Sequence, residues 1–175
     1  MPDAGERLAR WRERLRAALD ADAASEAGGP EERPGSRLEF LEVEAAGERY
    51  GFPVGSVAEI LRSRPVTPVP RTPPWVLGVA SLRGAMLPVV DLATRLGIGP
   101  GGEAPQERIV VVRDGDETMG FRVARVVGVV RLDPAHIRDG ADEPFLAGMA
   151  RDPEGRTLGI LSPEELCAFR AEEAG

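Results

Sequence analysis

The chain repeats one pattern after about seventy residues, and this repeat limits which folds it can adopt. Three segments recur in the same order: 51–62 as 120–131, 74–80 as 144–150, and 84–91 as 155–162. The nearly constant shift indicates two copies of one unit, roughly 38–98 and 108–170. Because a unit of about sixty residues is only marginally stable alone, we expect two coupled cores that share an interface.

The two copies differ in charge at two positions. Glu59 of the first copy aligns with Gly128, and Arg83 aligns with Glu154. A carboxylate and a guanidinium therefore occur only once, within or beside apolar segments. Since a structural scaffold does not need this difference, we interpret Glu59 and Arg83 as candidate functional residues.

The composition excludes several classes of protein. A net charge of −7, with both signs interspersed among 22 arginines and 29 acidic residues, argues against binding to nucleic acid or an anionic membrane surface. No apolar run approaches the roughly 20 residues of a membrane-spanning helix, so we expect no direct membrane insertion. The single cysteine and the lack of a recognisable leader favour a cytoplasmic location.

The first 36 residues differ from the remainder of the chain. Residues 5–24 repeat apolar side chains at three- and four-residue steps and predict an amphipathic helix, with the stripe Leu8, Trp11, Leu15, Ala18 and Leu19. Residues 26–36 have the Gly, Pro and Glu content of a linker. Two interpretations stay open: the helix folds back over the body or a sheet edge, or it docks to a separate partner.

The region from Leu38 onward predicts short strands joined by tight turns. Alternating apolar residues predict a hairpin over 38–52, and the spacing from Val54 to Leu61 predicts about two turns of helix. The five prolines between Arg64 and Pro74 indicate an edge or crossover path. Units this small with so many strands usually close into barrels, which removes exposed edges.

Two short helices are predicted at equivalent ends of the two copies. Asp91 is a candidate N-cap for a helix over 92–96 that stops at Gly97. Ser162, followed by Pro163 and by Glu165 at the capping-box position, predicts a second helix.

The sequence contains no recognisable catalytic, metal-binding or cofactor-binding motif. The one histidine, His136, lies in a predicted turn without a second metal ligand nearby, and Cys167 lies on an apolar helix face. No glycine-rich phosphate loop is present. We therefore expect no enzyme activity and no cofactor. An enzyme that uses Cys167 or His136 stays a competing hypothesis, as does a small barrel that binds nucleic acid.

One long segment strongly resembles the CheW family of chemotaxis coupling proteins. Residues 75–92 read WVLGVASLRGAMLPVVDL and are similar to the family pattern of Gly-Val, Asn-Leu-Arg-Gly and an aliphatic-Pro-aliphatic-aliphatic-Asp-Leu run. Ser81 stands where the family usually has Asn, and the Arg-Gly turn is intact. Residues 50–52 and 57–60 also resemble the family, and the resemblance extends from about Leu38 to Phe169 but excludes the N-terminal 36 residues.

The resemblance implies a fold, a function and a set of partners. The fold is mainly β, with two SH3-like five-stranded β-barrels spanning 37–170. The function is that of a non-enzymatic adaptor that couples the cytoplasmic tip of a methyl-accepting chemoreceptor to the regulatory domain of a CheA-type histidine kinase, recruited to receptor arrays. The kinase would contact the barrel ends. By position, the family's receptor-binding groove corresponds to Val54, Val57, Glu59, Ile60 and Arg83. The alternative is a CheW-like scaffold in a non-motility pathway that docks through its N-terminal helix.

Overall fold

The chain forms two five-stranded β-barrels that pack against each other, which confirms the predicted fold. In a computed structural model, the structure describes residues 37–138, 143–152 and 154–168. The predicted N-terminal helix, its linker and Phe169 lie outside the described residues. Ten strands account for most of the described chain.

The strands are short and are joined mainly by tight turns. They are β1 (Leu38–Ala45), β2 (Glu48–Pro53), β3 (Val57–Arg62), β4 (Val76–Leu82), β5 (Ala85–Asp91), β6 (Arg108–Asp114), β7 (Glu117–Val123), β8 (Arg125–Leu132), β9 (Leu146–Arg151) and β10 (Thr157–Leu161). Two short α-helices, α1 (Leu92–Arg95) and α2 (Pro163–Cys167), and two 3₁₀ turns, Val54–Ser56 and Pro134–His136, complete the described elements.

Each barrel takes strands from both copies of the sequence repeat. Barrel 1 has the strand order β3-β6-β7-β5-β4, and barrel 2 has the order β8-β1-β2-β10-β9. The β1–β2 hairpin of the first copy therefore completes barrel 2, and the β6–β7 hairpin of the second copy completes barrel 1. This corrects our expectation that the segments 38–98 and 108–170 are the structural subdomains, because the two copies exchange their first hairpins.

Each barrel is closed by a backbone contact between segments of one copy. Thr67, within the proline-rich segment, exchanges two hydrogen bonds of 2.8 and 2.9 Å with Val79 on β4. Arg138, which follows β8, exchanges two backbone hydrogen bonds of 2.8 Å with Met149 on β9. A glycine adjoins each contact, Gly78 and Gly148. A Cβ at Gly78 would lie 2.1 Å from the carbonyl oxygen of Thr67, and a Cβ at Gly148 would lie 2.8 Å from that of Arg138, so both closing contacts need glycine.

Three apolar clusters fill the molecule. One cluster lies in barrel 2 around Phe40 and Leu158, and another lies in barrel 1 around Val89 and Ile109. The largest cluster contains side chains from both barrels: Leu41, Val43, Ala45, Tyr50, Phe52, Trp75, Val90, Leu92, Ala93, Val110, Val112, Met119, Phe121, Val123, Leu161, Leu166 and Cys167. The coupled cores expected from the repeat thus share one central cluster.

The predicted two-turn helix from Val54 to Leu61 is wrong. Only Val54–Ser56 forms a single 3₁₀ turn, and the chain then continues as β3. The β-branched residues Val57 and Ile60 suit a strand, and the antiparallel pairing of β3 with β6 supplies ladder hydrogen bonds. Tertiary pairing therefore overrides the local spacing, and the equivalent segment of the second copy is the strand β8.

Both predicted helix caps are confirmed. The Asp91 carboxylate accepts a hydrogen bond from the Thr94 amide at 2.8 Å, and Ser162 accepts one from Glu165 at the start of α2. The last turn of α1 carries Arg95, which is buried. Its guanidinium lies 4.0 Å from the centroid of the Trp75 ring and 4.7 Å from that of Phe145.

Arg95 also connects the two helices. It donates a 2.8 Å hydrogen bond to the carbonyl oxygen of Ala168, the residue that ends α2. A guanidinium stacked on aromatic faces combines cation–π attraction with hydrogen bonding at a helix C-terminus. The contact therefore fixes the end of the second copy against the end of the first.

A buried charge cluster stabilises the turn between β9 and β10. Arg49 on β2 pairs with both Glu42 and Asp152, and Asp152 also accepts hydrogen bonds from the backbone and side chain of Arg156. Burial acts to raise the pKa of Asp152. The hydrogen bonds from Arg156 and Arg49 outweigh burial and lower that pKa to about 2.

We expect this carboxylate to make the protein sensitive to acid. Because the folded pKa lies below the unfolded value of about 3.9, the ionised Asp152 stabilises the fold above about pH 4, and this stabilisation is lost as the pH falls towards 2. Asp152→Asn should destabilise the protein at pH 7 and flatten the acid limb of its stability profile. Thermal melts between pH 7 and 2 measure this, with Asp116→Asn in the exposed β6–β7 turn as the control. An acid limb as steep in Asp152→Asn as in the unchanged protein would contradict the assignment.

We expect barrel closure to tolerate no side chain at Gly78. A Cβ there would lie 2.1 Å from the Thr67 carbonyl oxygen, and the glycine adopts φ of +139°. Gly78→Ala should lower the free energy of unfolding by more than about 1 kcal/mol. The matched control is Gly102→Ala, because an added Cβ there meets nothing within 4 Å. Urea unfolding of the two variants makes the comparison, and equal stabilities would show that the closing contact is dispensable.

Candidate functional site

The structure brings together the two charges that distinguish the copies. Arg83 donates a 3.2 Å hydrogen bond from its guanidinium to the carboxylate of Glu59. The Arg83 side chain is 81% exposed and that of Glu59 is 26% exposed. An exposed ion pair of this kind contributes little to stability. Because the Arg83 side chain is so exposed, most of its guanidinium N–H groups face solvent. The pair is therefore suited to meeting a partner.

The backbone around Arg83 holds the side chain at the tip of a hairpin. Arg83 and Gly84 form the two-residue turn between β4 and β5, and both adopt positive φ, +51° and +82°. This geometry is that of a type I′ turn, which favours Asn or Gly at its first position. An arginine there costs on the order of 1 kcal/mol. Ala46 and Gly47 adopt the same conformations in the β1–β2 turn, at φ of +48° and +81°, so the strain belongs to this type of hairpin, and its consequence here is to place Arg83 at the tip.

A β-bulge positions Glu59. On β3, Val57 faces Val112 of β6 and Glu59 faces Val111, so Ala58 is an extra residue without an opposite partner. A bulge bends the strand and changes the direction of the side chains that follow it. Here the side chain after the bulge is the carboxylate that meets Arg83.

Val54 and Val57 lie where the chain passes from barrel 2 to barrel 1. The 3₁₀ turn Val54–Ser56 joins β2 to β3 and packs against β1 and β6, one strand of each barrel. Val57 is half-buried against the central apolar cluster. The predicted groove residues Val54, Val57, Glu59 and Arg83 thus lie on or next to the strand that follows the crossover.

Ile60 lies on the same face of β3 as Val57. Because of the bulge at Ala58, Val57 is opposite Val112 and Ile60 is opposite Val110, and both of these partners belong to the central cluster. Ile60 is 44% exposed. Glu59 is opposite Val111, which belongs to the core of barrel 1, so its side chain leaves the strand on the other face. A partner that contacts Val57, Ile60 and Glu59 therefore meets both faces of the edge strand β3.

Met86 is a further candidate residue that the sequence pattern did not single out. Met86 follows the Arg83-Gly84 turn on β5 and is 65% exposed, the largest fraction among the exposed large apolar residues of the described chain. The available signal was an unbranched apolar residue two positions after the Arg83-Gly84 turn. Flexible methionine side chains suit adaptable binding surfaces, so Met86 extends the candidate site around Arg83.

The candidate nucleophile Cys167 is unsuited to catalysis. Its side chain is buried in the central cluster on α2. Burial, with the nearby carboxylates of Asp114 and Glu117, raises the pKa of the thiol to about 12. The thiol is therefore protonated at neutral pH, whereas the thiolate is the reactive form. The other candidate, His136, is exposed on the 3₁₀ turn Pro134–His136.

Among the described residues, no group of three or more His, Cys, Asp or Glu side chains could hold a metal ion. Within the same residues, none of the helices combines the length and the apolar character needed to cross a bilayer.

Comparison with known proteins identifies the family. A sequence model of the CheW-like domain matches residues 39–170. The chain belongs to the CheW-like domain family. The chemotaxis protein CheW of Helicobacter pylori is 29% identical over 159 residues, which cover 87% of this chain and 94% of that protein. Protein FrzA of Myxococcus xanthus is 36% identical over 132 residues, which cover 72% of this chain and 82% of that protein.

A solved structure of the CheW-like family shares the fold. The scaffolding protein TtCheW from Thermoanaerobacter tengcongensis superposes with a TM-score of 0.67 at 28% identity, covering 72% of this chain and 89% of that one. The resemblance drawn from residues 75–92 is thus confirmed as CheW-like family membership. The matched family region begins after the N-terminal 36 residues, so that segment is additional to the CheW-like domain.

We expect the Cys167 thiol to be inert in the folded protein. Because it is buried and its pKa is raised to about 12, the folded chain should react with a thiol-specific disulfide reagent at pH 8 far more slowly than the chain in denaturant. Absorbance of the released thiolate follows both reactions. Rapid labelling without denaturant would contradict the buried placement and would revive the hypothesis of a nucleophilic cysteine.

Proposed function

We propose that this chain is a non-enzymatic adaptor that couples the cytoplasmic tip of a chemoreceptor to the regulatory domain of a CheA-type histidine kinase. The observation that carries the proposal is the Arg83–Glu59 pair, held on a strained turn of barrel 1 and absent from the repeat-equivalent positions of barrel 2. Membership of the CheW-like family and the likeness to a scaffolding protein support the general role of a chemotaxis adaptor.

The surface around β3 has the features that a helical partner requires. A chemoreceptor tip is a helical hairpin, and a helix binds where an apolar seat adjoins a few fixed polar groups. Val54 and Val57 supply the apolar seat beside the junction of the barrels. Ile60 extends the apolar surface along the face of β3 that carries Val57.

Arg83 supplies specificity in this arrangement. Its guanidinium can keep the contact with Glu59 while its remaining N–H groups meet a carboxylate of the partner. Charge pairs of this kind fix the register of a complex and exclude wrong partners more than they add affinity. Exposed Met86 beside the turn gives the partner an adaptable apolar contact.

The kinase is assigned to the barrel ends, away from the β3 surface. Two separate surfaces allow receptor and kinase to bind one adaptor together. The central cluster, to which both barrels contribute, holds these surfaces in a fixed relation.

We expect Arg83→Glu to abolish retention of the receptor fragment while leaving the fold intact. The substituted carboxylate would repel Glu59 and any acidic group of the partner. A pull-down with a receptor cytoplasmic fragment and a CheA-type kinase measures retention, and thermal melting checks the fold. The matched control is Arg131→Glu, because Arg131 also forms an exposed ion pair, with Glu39 at 2.7 Å. Normal ternary assembly by a well-folded Arg83→Glu variant would defeat the proposal.

Swapping the charges of Glu59 and Arg83 tests whether Arg83 binds a partner or only pairs with Glu59 within the chain. The double variant Glu59→Arg/Arg83→Glu keeps an ion pair between the two positions but reverses its direction. If a partner contacts Arg83, receptor retention stays lost in the double variant. Restored retention would show that the pair acts only within the chain, and the functional assignment of Arg83 would then fail.

A further inference from the structure

The β8 edge of barrel 2 turns an apolar face towards barrel 1. Because β8 bulges at Val127, Val126 is opposite Val43 and Val129 is opposite Leu41, and both of these partners belong to the central cluster. Val126 is half-buried against that cluster, whereas Val129 is 58% exposed. Val129 therefore lies at the exposed margin of the apolar cluster that the two barrels share.

This margin continues on β3 of barrel 1. Ile60 is the repeat counterpart of Val129 and is likewise opposite a residue of the central cluster. The crossover turn Val54–Ser56 contacts both β1 and β6, the strands that pair with β8 and β3. The two apolar margins therefore meet at the crossover. We call this surface the inter-barrel groove, and its apolar residues are Val54, Val57, Ile60, Val126 and Val129.

An apolar groove of this kind accepts a helix, and the chain itself carries a candidate. The sequence pattern of residues 5–24, which lie outside the described residues, predicts one amphipathic helix. Its apolar stripe places Leu8, Trp11 and Leu15 at positions i, i+3 and i+7, the spacing with which helices anchor in apolar grooves. The segment therefore presents the same kind of surface as the proposed helical partner.

The connection brings this segment within reach of the groove. The described chain begins at Arg37, and Leu41, which lies beside Val129, follows about 13 Å further along β1. The linker 25–36 has a root-mean-square span of about 19 Å if it behaves as a flexible chain. A linker whose span is comparable with the distance gives an effective concentration in the millimolar range. Docking within one chain is therefore favoured over docking between chains in dilute solution.

Charge also favours docking of the segment on the body. Residues 7–16 contain five arginines and one glutamate, whereas residues 37–175 contain 16 arginines and 21 acidic residues. Attraction between opposite charges brings such a segment to the body before specific contacts form. Beside the groove, Glu39 lies on the same face of β1 as Leu41 and keeps a partly exposed carboxylate next to its bond with Arg131. This carboxylate is an acceptor for an arginine of the segment.

We propose that residues 5–24 of this chain occupy the inter-barrel groove through their apolar stripe and compete there with the chemoreceptor tip. The competition rests on the proposed adaptor function. The docking itself does not, because it depends only on the groove, the linker and the N-terminal sequence. Since a receptor must displace the segment, its apparent affinity equals its affinity for the open groove multiplied by the open fraction.

Acrylamide quenching of Trp11 in the full chain tests the docking without any partner. The chain has two tryptophans, and Trp75 is 7% exposed, so a Trp11→Phe variant gives the Trp75 signal to be subtracted. We expect the Trp11 quenching constant to be several-fold lower in the folded protein than in denaturant. Ile60→Glu and Val129→Glu should each at least double it in the folded protein, because a carboxylate then faces the apolar stripe. The matched control is Val69→Glu, which should leave it unchanged, because Val69 is 40% exposed but lies in the proline-rich segment.

A variant within the segment keeps the test independent of barrel stability. Leu15→Glu alters the apolar stripe and lies outside the matched CheW-like region. It should raise the Trp11 quenching constant as the groove variants do, with the cooperative melting of the barrels retained. Its matched control is Ala17→Glu, which adds the same charge on the opposite side of the predicted helix. Equal effects of the two variants would contradict docking through the stripe.

Titration with a receptor cytoplasmic fragment tests the competition. We expect Leu15→Glu to bind the fragment at least threefold more tightly than the unchanged chain does, and Ala17→Glu to bind it with unchanged affinity. Equal affinities of all three proteins, with Trp11 protected, would overturn the competition. A fragment that binds none of them would defeat the proposed function and the competition with it, whereas the quenching measurement decides the docking separately.

Four quenching results would overturn the docking. A Trp11 that is as accessible in the folded protein as in denaturant would show that the segment is free. Protection that survives both Ile60→Glu and Val129→Glu would place the segment on another surface. Protection that disappears on dilution would show that a second copy supplies the segment. Protection that appears only when a receptor fragment or kinase is added would show that the segment binds a partner.

Discussion

The exchange of hairpins between the two repeat copies is the constraint on which the remaining structure depends. The β1–β2 hairpin leaves its own copy to complete barrel 2, and the β6–β7 hairpin completes barrel 1. Phe52 on β2 and Phe121 on β7, which are equivalent in the repeat, meet with their ring centroids 5.6 Å apart in the central cluster. Neither copy can therefore bury its apolar residues without the other, and the two barrels behave as one cooperative unit.

The exchange also explains why the candidate site lies at β3. The chain must cross between barrels immediately before this strand, and the crossover Val54–Ser56 leaves β3 at the sheet edge with a bulge at Ala58. An edge strand with a bulge does not template further strand pairing easily, which protects the protein from aggregation. The same geometry presents Glu59 to Arg83. In barrel 2 the equivalent bulge carries Val127 and Gly128, so one backbone framework gives a charged surface on one barrel and an apolar surface on the other.

Much of the fold could be predicted from the sequence because its signals are local. The repeat, the caps at Asp91 and Ser162, and the paired glycines Gly78 and Gly148 each reflect a requirement of nearby backbone. The strand β3 was missed because its apolar spacing equally fits a helix and only pairing with β6 decides between them. The hairpin exchange could not be predicted either. The same sequence repeat is compatible with two barrels that each use one copy and with two barrels that exchange their first hairpins.

The candidate site was predictable in part. Comparing the two copies singled out Glu59 and Arg83, whereas the face on which each β3 side chain lies depends on the bulge at Ala58 and on pairing with β6, which a predicted helix conceals. Met86 was missed because its exposure depends on where the β4–β5 hairpin ends relative to its neighbours. Arg95 was missed because its aromatic contacts come from Trp75 and Phe145 in different copies.

The strand order also determines which barrel can form first while the chain is being synthesised. All five strands of barrel 1 are available once Val123 has emerged, because β3 to β7 are consecutive in the chain. Barrel 2 needs β1 and β2 from the beginning and β10 from the end. The β1 edge of the first hairpin can pair with β8 once Leu132 has emerged, but its β2 edge must wait for β10, which ends at Leu161. Pairings this distant in sequence make folding slow. The earliest hairpin to be synthesised is therefore among the last to be buried, and its apolar face needs protection in the interval.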